Sequence, residues 1–373
     1  MTVAINRQWL LKQRPVGAFK DSDFEYHEAP MPTISKGQAL VKTLYLSFDP
    51  TQRIWAAVDS YIPAIPLGMP MQALTISQVI ESKSKKYKAG DIVSGLMTWQ
   101  EYAVISEKDN SVLPPIVMPG FLDLQLTLAL LLTGLTAYFG LLEVGKPRPG
   151  DTVLVSGAAG ATGSMVVQIA KLKGARVVGI AGGPDKCLWL KEVAKVDEVI
   201  DYKNEDLRVR VAETCPNGID VFFDNVGGET LDAALINLAH GARVVICGAI
   251  SQYNNISSNI NDRENDSYGV KATVMLISSS ARMQGFLISD FKNQFNEGLM
   301  LLTKWVEEGK IVQQIDCQQG FENIPSTLQR LFLGENKGKQ ILKLSDPALP
   351  LNTNPLMRLA FGLMKAFVSW RKG

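Results

Sequence analysis

The run Gly157-Ala158-Ala159-Gly160-Ala161-Thr162-Gly163 follows an apolar strand over 151–156 and leads directly into the helical stretch SMVVQIAKLK. Glycines in that position let the turn close tightly, let backbone approach a pyrophosphate, and let the helix press on the strand. Amide hydrogens at the helix start then hold phosphate oxygens, which predicts a dinucleotide site; the alternative is a glycine-rich packing turn. The next strand, 176–181, ends in Gly182-Gly183-Pro184, without the acid that NAD-type sites place there for the ribose 2′-hydroxyl. Lys186 follows two residues later as a cation suited to a 2′-phosphate, so NADP(H) is favoured; the alternative is a solvated helix lysine beside a capping Asp185. Metal chemistry has little to build on. The chain holds two histidines, His27 and His240, and four cysteines, Cys187, Cys215, Cys247 and Cys317, with no C-x-x-C pair. No catalytic metal is expected, and the cysteine pattern fits a reducing cytoplasm.

Positioning these groups requires strands and helices in alternation. Strand candidates at 151–156, 176–181, 198–202, 218–224 and 242–247 are separated by helical runs at 164–173 and 185–194, which predicts βαβ units and a doubly wound parallel sheet. Ahead of them, QALVKTLYLS, TISQVIES, DIVSGLM and EYAVI predict a small β-rich unit with turns such as Lys88-Ala89-Gly90-Asp91, and the segment after about 303 is expected to return to it. His27 is expected in an N-terminal strand and His240 in a surface turn. With 373 residues, two compact units fit the length. Thirty-eight basic against 37 acidic side chains leave a charge of +1, so nothing favours nucleic acid as a partner. Two uncharged runs, 124–142 and 152–170, reach the length of a short membrane span. Gln125, Thr127, Thr133 and Thr136 in the first and Gly157, Gly160 and Gly163 in the second make both read as buried elements of a soluble protein.

The stretch VSGAAGATGSMVVQIAKLKGARVVGIAGGPDK, with GLTAYFGL before it and FDNVGGETLDAAL, ICGAISQYN, ARMQGFL and GENKGKQILKL after it, resembles the zinc-independent medium-chain dehydrogenases/reductases. More narrowly it resembles the prostaglandin reductase, leukotriene B4 dehydrogenase and alkenal double-bond reductase family, over roughly residues 5 to 346. The resemblance implies an α/β fold: a GroES-like β-rich catalytic domain over 1–130 and 303–346, a Rossmann domain over 131–302, and NADPH in the cleft between them. It carries the phosphate turn to Gly160, Ala161, Thr162 and Gly163, the 2′-phosphate contacts to Lys186 and Tyr202, and a further cofactor contact to Asn225. The nicotinamide-side loop falls on Cys247, Gly248, Ala249, Ile250, Ser251 and Tyr253, a backbone contact on Phe286, Leu287 and Ile288, and a closing residue on Asn336. The implied reaction is NADPH-dependent reduction of the C=C bond of an α,β-unsaturated ketone or aldehyde, with hydride reaching the β-carbon. Charge then develops on the carbonyl oxygen, where a donor is most valuable. The resemblance places a tyrosine at Tyr253; its phenol either donates to that oxygen and helps deliver the final proton, or packs on the nicotinamide while water supplies the proton.

The chain departs from the family pattern in places. LYLSFDPTQR carries Thr51 and Gln52 where relatives have an aromatic and a methionine, so a more polar substrate wall is expected, and Met71-Gln72-Ala73-Leu74-Thr75 lacks a common arginine. Tyr61 reads as a turn-anchoring aromatic, the alternative being that it lines the pocket. Residues 347–373 extend past the usual family end as an amphipathic basic helix, with Arg358, Gly362, Lys365, Ser369 and Lys372 on one side and Leu356, Leu359, Phe361, Leu363, Met364, Phe367 and Trp370 on the rest. Such a helix packs on its own protein, fills a dimer groove or lies on a membrane surface. A homodimer is implied by the resemblance. Two rival functions stay open: an NADPH quinone reductase, and a non-catalytic NADPH-binding regulatory protein.

Overall fold

A computed structural model describes residues 5–256, 268–353 and 362. Of the basic helix expected over 347–373, residues 347–353 are described and are irregular rather than helical; the rest, apart from 362, lies outside the described residues. The α/β repeat forms a six-stranded, all-parallel sheet in which Glu198–Asp201, Arg176–Ala181, Thr152–Val155, Ile219–Asp224, Leu238–Ile246 and Arg282–Gly285 lie side by side. In chain order this is 3-2-1-4-5-6, the doubly wound Rossmann arrangement, whose strand order reverses between Thr152–Val155 and Ile219–Asp224. Val153, Leu154 and Val155 are each fully buried because helices cover both faces. His240 lies on an exposed part of the strand Leu238–Ile246 rather than in a turn before it, where the register against Ile219–Asp224 slips and Gly241 takes φ 74°.

The second sheet has seven strands. Gln38–Ser47 is its centre, paired antiparallel with Gln72–Ser82 and Tyr102–Ser106, while Ile92–Thr98 and Ile116–Met118 extend one side. The returning chain supplies Lys339–Lys343, antiparallel to Gln38–Ser47, and Ile315–Gln319 beyond it. His27 lies in the strand Phe24–Pro30, opposite Gln8.

The uncharged run beginning at Leu124 is one helix, Leu124–Gly145, long and apolar enough to cross a membrane, yet 78% of its most apolar window is buried inside the protein. It packs on the helix Phe295–Glu307 at two glycines: a Cβ on Gly298 would lie 2.8 Å from a methyl of Leu135, and one on Gly134 would lie 3.3 Å from a methyl of Leu302. The divisions proposed at 130/131 and 302/303 thus fall within two helices that pack on each other.

The chain end that is described, up to Asn352, is strapped across the β-rich sheet. Buried Gln78 accepts from the amides of Ala348 and Leu349 and donates to the Leu349 carbonyl, and Asn352 donates to Asp91.

Candidate active site

At the switch point the residues after both central strands are tied together. The Ser156 hydroxyl donates to the buried Asp224 carboxylate (2.7 Å) and accepts from the Asn225 amide (2.8 Å), while the Asn225 side chain donates to the Ser156 carbonyl (2.7 Å). Asp224 also accepts from the amides of Val226 and Gly227, and burial pushes its carboxyl above the usual range. Around this knot lies a cavity of about 910 Å³ between the two sheets.

The phosphate turn forms its floor. No side chain caps the helix Ala161–Leu172, and Ala161, Thr162 and Gly163 line the cavity. Gly157 takes φ +57°, and a Cβ on Gly163 would collide with the Gly157 carbonyl and lie 2.8 Å from the Ala158 Cα, so the helix meets the strand at a distance that admits only glycine. Uncapped amides at a helix start beside a glycine-rich turn fit a dinucleotide pyrophosphate. Gly160 also bridges to Gly338, which brings the loop holding Asn336 over the turn; the Asn336 amide donates to the Gly338 carbonyl.

Lys186, Tyr202 and Lys203 gather at the end of the second strand. The Tyr202 ring lies against Gly182, where a Cβ would come within 2.7 Å of it, and the Lys186 ammonium donates to the Gly334 carbonyl at 2.6 Å. Burial, then the neighbouring Lys203 charge, lowers the Lys186 pKa. No acid stands at the strand tip, and Asp201 from the next strand accepts from the Gly183 amide at 2.9 Å. The residues fit a 2′-phosphate: two cations and a phenol, with the nearby carboxylate already occupied by backbone.

Above the phosphate turn, the segment after Leu238–Ile246 bends through Cys247 and Gly248, whose amides donate to the Asp224 carbonyl, into the short helix Ile250–Tyr253. The Tyr253 hydroxyl accepts from the Ala249 amide at 3.0 Å, and burial raises its pKa to about 12. Its own hydrogen is therefore retained at neutral pH and is free of that bond. Cys247 lines the cavity, with its thiol pushed up to about 12 by burial and the Asp224 charge.

All the cofactor-side residues expected from sequence line this one cavity except Ala249, whose contribution is its amide. On the other side the wall is mainly apolar, with Phe48, Ile54, Trp55, Leu74, Leu113 and Leu132. The expectation of a polar wall from Thr51 and Gln52 is corrected. Thr51 lines the cavity, but Gln52 is buried, accepting from Asp49 and donating to the Gln72 carbonyl inside the β-rich unit. Tyr61 does more than anchor a turn: it lines the cavity, and its hydroxyl bonds Thr51 at 2.5 Å and accepts from Trp55 at 3.0 Å. Sequence reading missed Leu113 and Leu132, which carry no signal beyond apolarity. Among the described residues no three His, Cys, Asp or Glu side chains converge on a metal-sized site.

Two family models match: the N-terminal domain of oxidoreductase over residues 7–113, and zinc-binding dehydrogenase over residues 161–304. The chain is 43% identical to a putative NADP-dependent oxidoreductase, YfmJ, of Bacillus subtilis (strain 168), covering 92% of this chain and 99% of that protein. It is 37% identical to the NADPH-dependent curcumin reductase of Escherichia coli (strain K12), over 91% and 97% of the two. The crystal structure of CurA in complex with NADPH from Vibrio vulnificus superposes with a TM-score of 0.84 at 36% identity, over 91% of this chain and 100% of that one.

Proposed function

Because the chain belongs to the zinc-independent medium-chain dehydrogenase/reductase family, in the branch of the prostaglandin and alkenal reductases, we propose that it reduces the C=C bond of α,β-unsaturated ketones and aldehydes with Tyr253 as donor to the carbonyl oxygen. It is an NADP-dependent oxidoreductase that uses NADPH. NADPH, when bound, supplies the hydride, which this reading directs to the β-carbon. The chain's own residues do the rest. Gly160 to Gly163 hold the pyrophosphate, Lys186 and Tyr202 the 2′-phosphate, and Asn225, the 247–251 loop, Phe286 to Ile288 and Asn336 keep the cofactor against the cavity. The apolar wall excludes water from the carbonyl.

The observation that carries the reading is the Tyr253 hydroxyl. It lines a cavity continuous with the phosphate turn, it is held by one donor, and its proton stays on at neutral pH. An amide donating to the phenol oxygen polarises the O–H and strengthens it toward a developing enolate. The reading includes a homodimer, supported by the family resemblance, and a reducing cytoplasm, supported by four free cysteines.

Tyr253→Phe tests it. Turnover of an enone, followed by NADPH oxidation, is expected to fall about 100-fold while the NADPH dissociation constant changes less than about twofold. Unchanged turnover refutes the donor role. Product analysis across enals, enones and quinones separates saturated carbonyls from hydroquinones; hydroquinone alone would make the chain a quinone reductase.

A further inference from the structure

We infer that Arg53 is a positioning residue for this reduction, clamping the turn that carries Tyr253 to the helix that forms the substrate wall. Its side chain is fully buried, and its partners are backbone carbonyls. Nε donates to Gly17 at 3.1 Å, and Nη2 is shared among Pro15 (3.1 Å), Gly17 (3.1 Å), Asn254 (3.2 Å) and Ile256 (3.3 Å). The guanidinium also lies 5.8 Å from the Phe19 ring. Burial lowers its pKa to about 10, partly offset by the charge of Asp23. A buried cation without an ion-pair partner is expensive, and a methionine would fill the same space at less cost. What the arginine adds is a connection between segments some 200 positions apart in the chain.

That connection bears on the reaction, and the inference rests on the Tyr253 reading given above. The turn is tied to the Rossmann sheet on its N-terminal side, where the amides of Ile250 and Ser251 donate to the carbonyls of Asn225 and Val226. On its C-terminal side Arg53 holds the carbonyls of Asn254 and Ile256. Arg53 itself sits in the helix Gln52–Ala57, and its neighbours Thr51, Ile54 and Trp55 line the cavity. One side chain therefore sets the span between the wall that holds substrate and the hydroxyl that meets its oxygen. A displacement of about 1 Å between the two is enough to cost about 100-fold in rate.

The test uses full-length Arg53→Met, Arg53→Lys, Tyr253→Phe and the Arg53→Met/Tyr253→Phe double variant. Arg53→Met is expected to lower kcat for an enone about 10- to 100-fold with the NADPH dissociation constant within about twofold, and Arg53→Lys to recover part of the loss. In the Tyr253→Phe background Arg53→Met should cost less than about twofold more, because the group it positions is gone. Equal losses in both backgrounds, or wild-type turnover in Arg53→Met, overturn the inference. Hydrogen exchange reads the clamp without catalysis: amides of 249–256 should exchange about tenfold faster in Arg53→Met with those of 157–172 unchanged, and no change overturns it. If Tyr253→Phe is itself silent, the donor reading fails and the exchange arm still decides the clamp. Should Arg53→Met not fold, Arg53→Lys carries the same cycle and exchange measurement.

Discussion

Replacing Lys186 by alanine should separate the two nicotinamide coenzymes. Its ammonium donates to the Gly334 carbonyl at 2.6 Å, a bond it must share or give up to hold a 2′-phosphate. A unit charge about 4 Å from a phosphate charge is worth about 1 kcal/mol in water and about 4 kcal/mol at an effective dielectric of 20. The half-buried site lies between these limits, and giving up one neutral-acceptor hydrogen bond costs about 1 kcal/mol. A net of about 2 kcal/mol remains, or about 30-fold in the NADPH dissociation constant. NADH lacks the phosphate, so its constant should move less than about twofold. Fluorescence titration of both coenzymes measures the ratio directly, and a weaker dependence of NADPH affinity on salt in the variant is a second readout. Equal losses for the two coenzymes, or none for NADPH, would show that Lys186 is only a solvated helix residue.

Two further outcomes follow from the cavity floor and the nicotinamide-side loop. Gly163→Ala forces a methyl against the Gly157 carbonyl and the Ala158 Cα, neither of which can swing aside; it should cost about 1 to 3 kcal/mol in thermal unfolding and weaken NADPH binding, and normal values of both would disprove the close approach. Burial disfavours the Cys247 thiolate, so its pKa of about 12 leaves about one part in 10⁴ ionised at pH 8. Iodoacetamide at pH 8, read by peptide mass, should modify Cys247 far more slowly than an unstructured thiol. Rapid labelling would contradict the assigned environment.

Local signals reached the cofactor half of the molecule. The strand–glycine–helix order, the missing acid at Gly182-Gly183-Pro184 and the βαβ rhythm are properties of contiguous residues; in the β-rich unit, too, the strand Gln38–Ser47 coincides with its sequence segment. The substrate half was less legible, because its residues act through partners far along the chain. Thr51 and Gln52 look alike in sequence, yet one faces the cavity and the other satisfies Asp49 and Gln72 inside the sheet. Arg53 gave no signal, since its partners at Asn254 and Ile256 are backbone atoms that no pattern of side chains announces. Gln78 was equally silent: a glutamine within an apolar strand becomes intelligible only beside the carbonyl and amides it reads at 348 and 349.

The triangle of Ser156, Asp224 and Asn225 works as a rivet through the crevice where the two halves of the Rossmann sheet diverge. A riveted seam cannot gape to admit a long, folded guest. The opposite lip, the strip from Gly334 to Gly338, is held across the cavity by the Lys186–Gly334 hydrogen bond, the Lys337–Asp185 ion pair and the Gly160–Gly338 bridge.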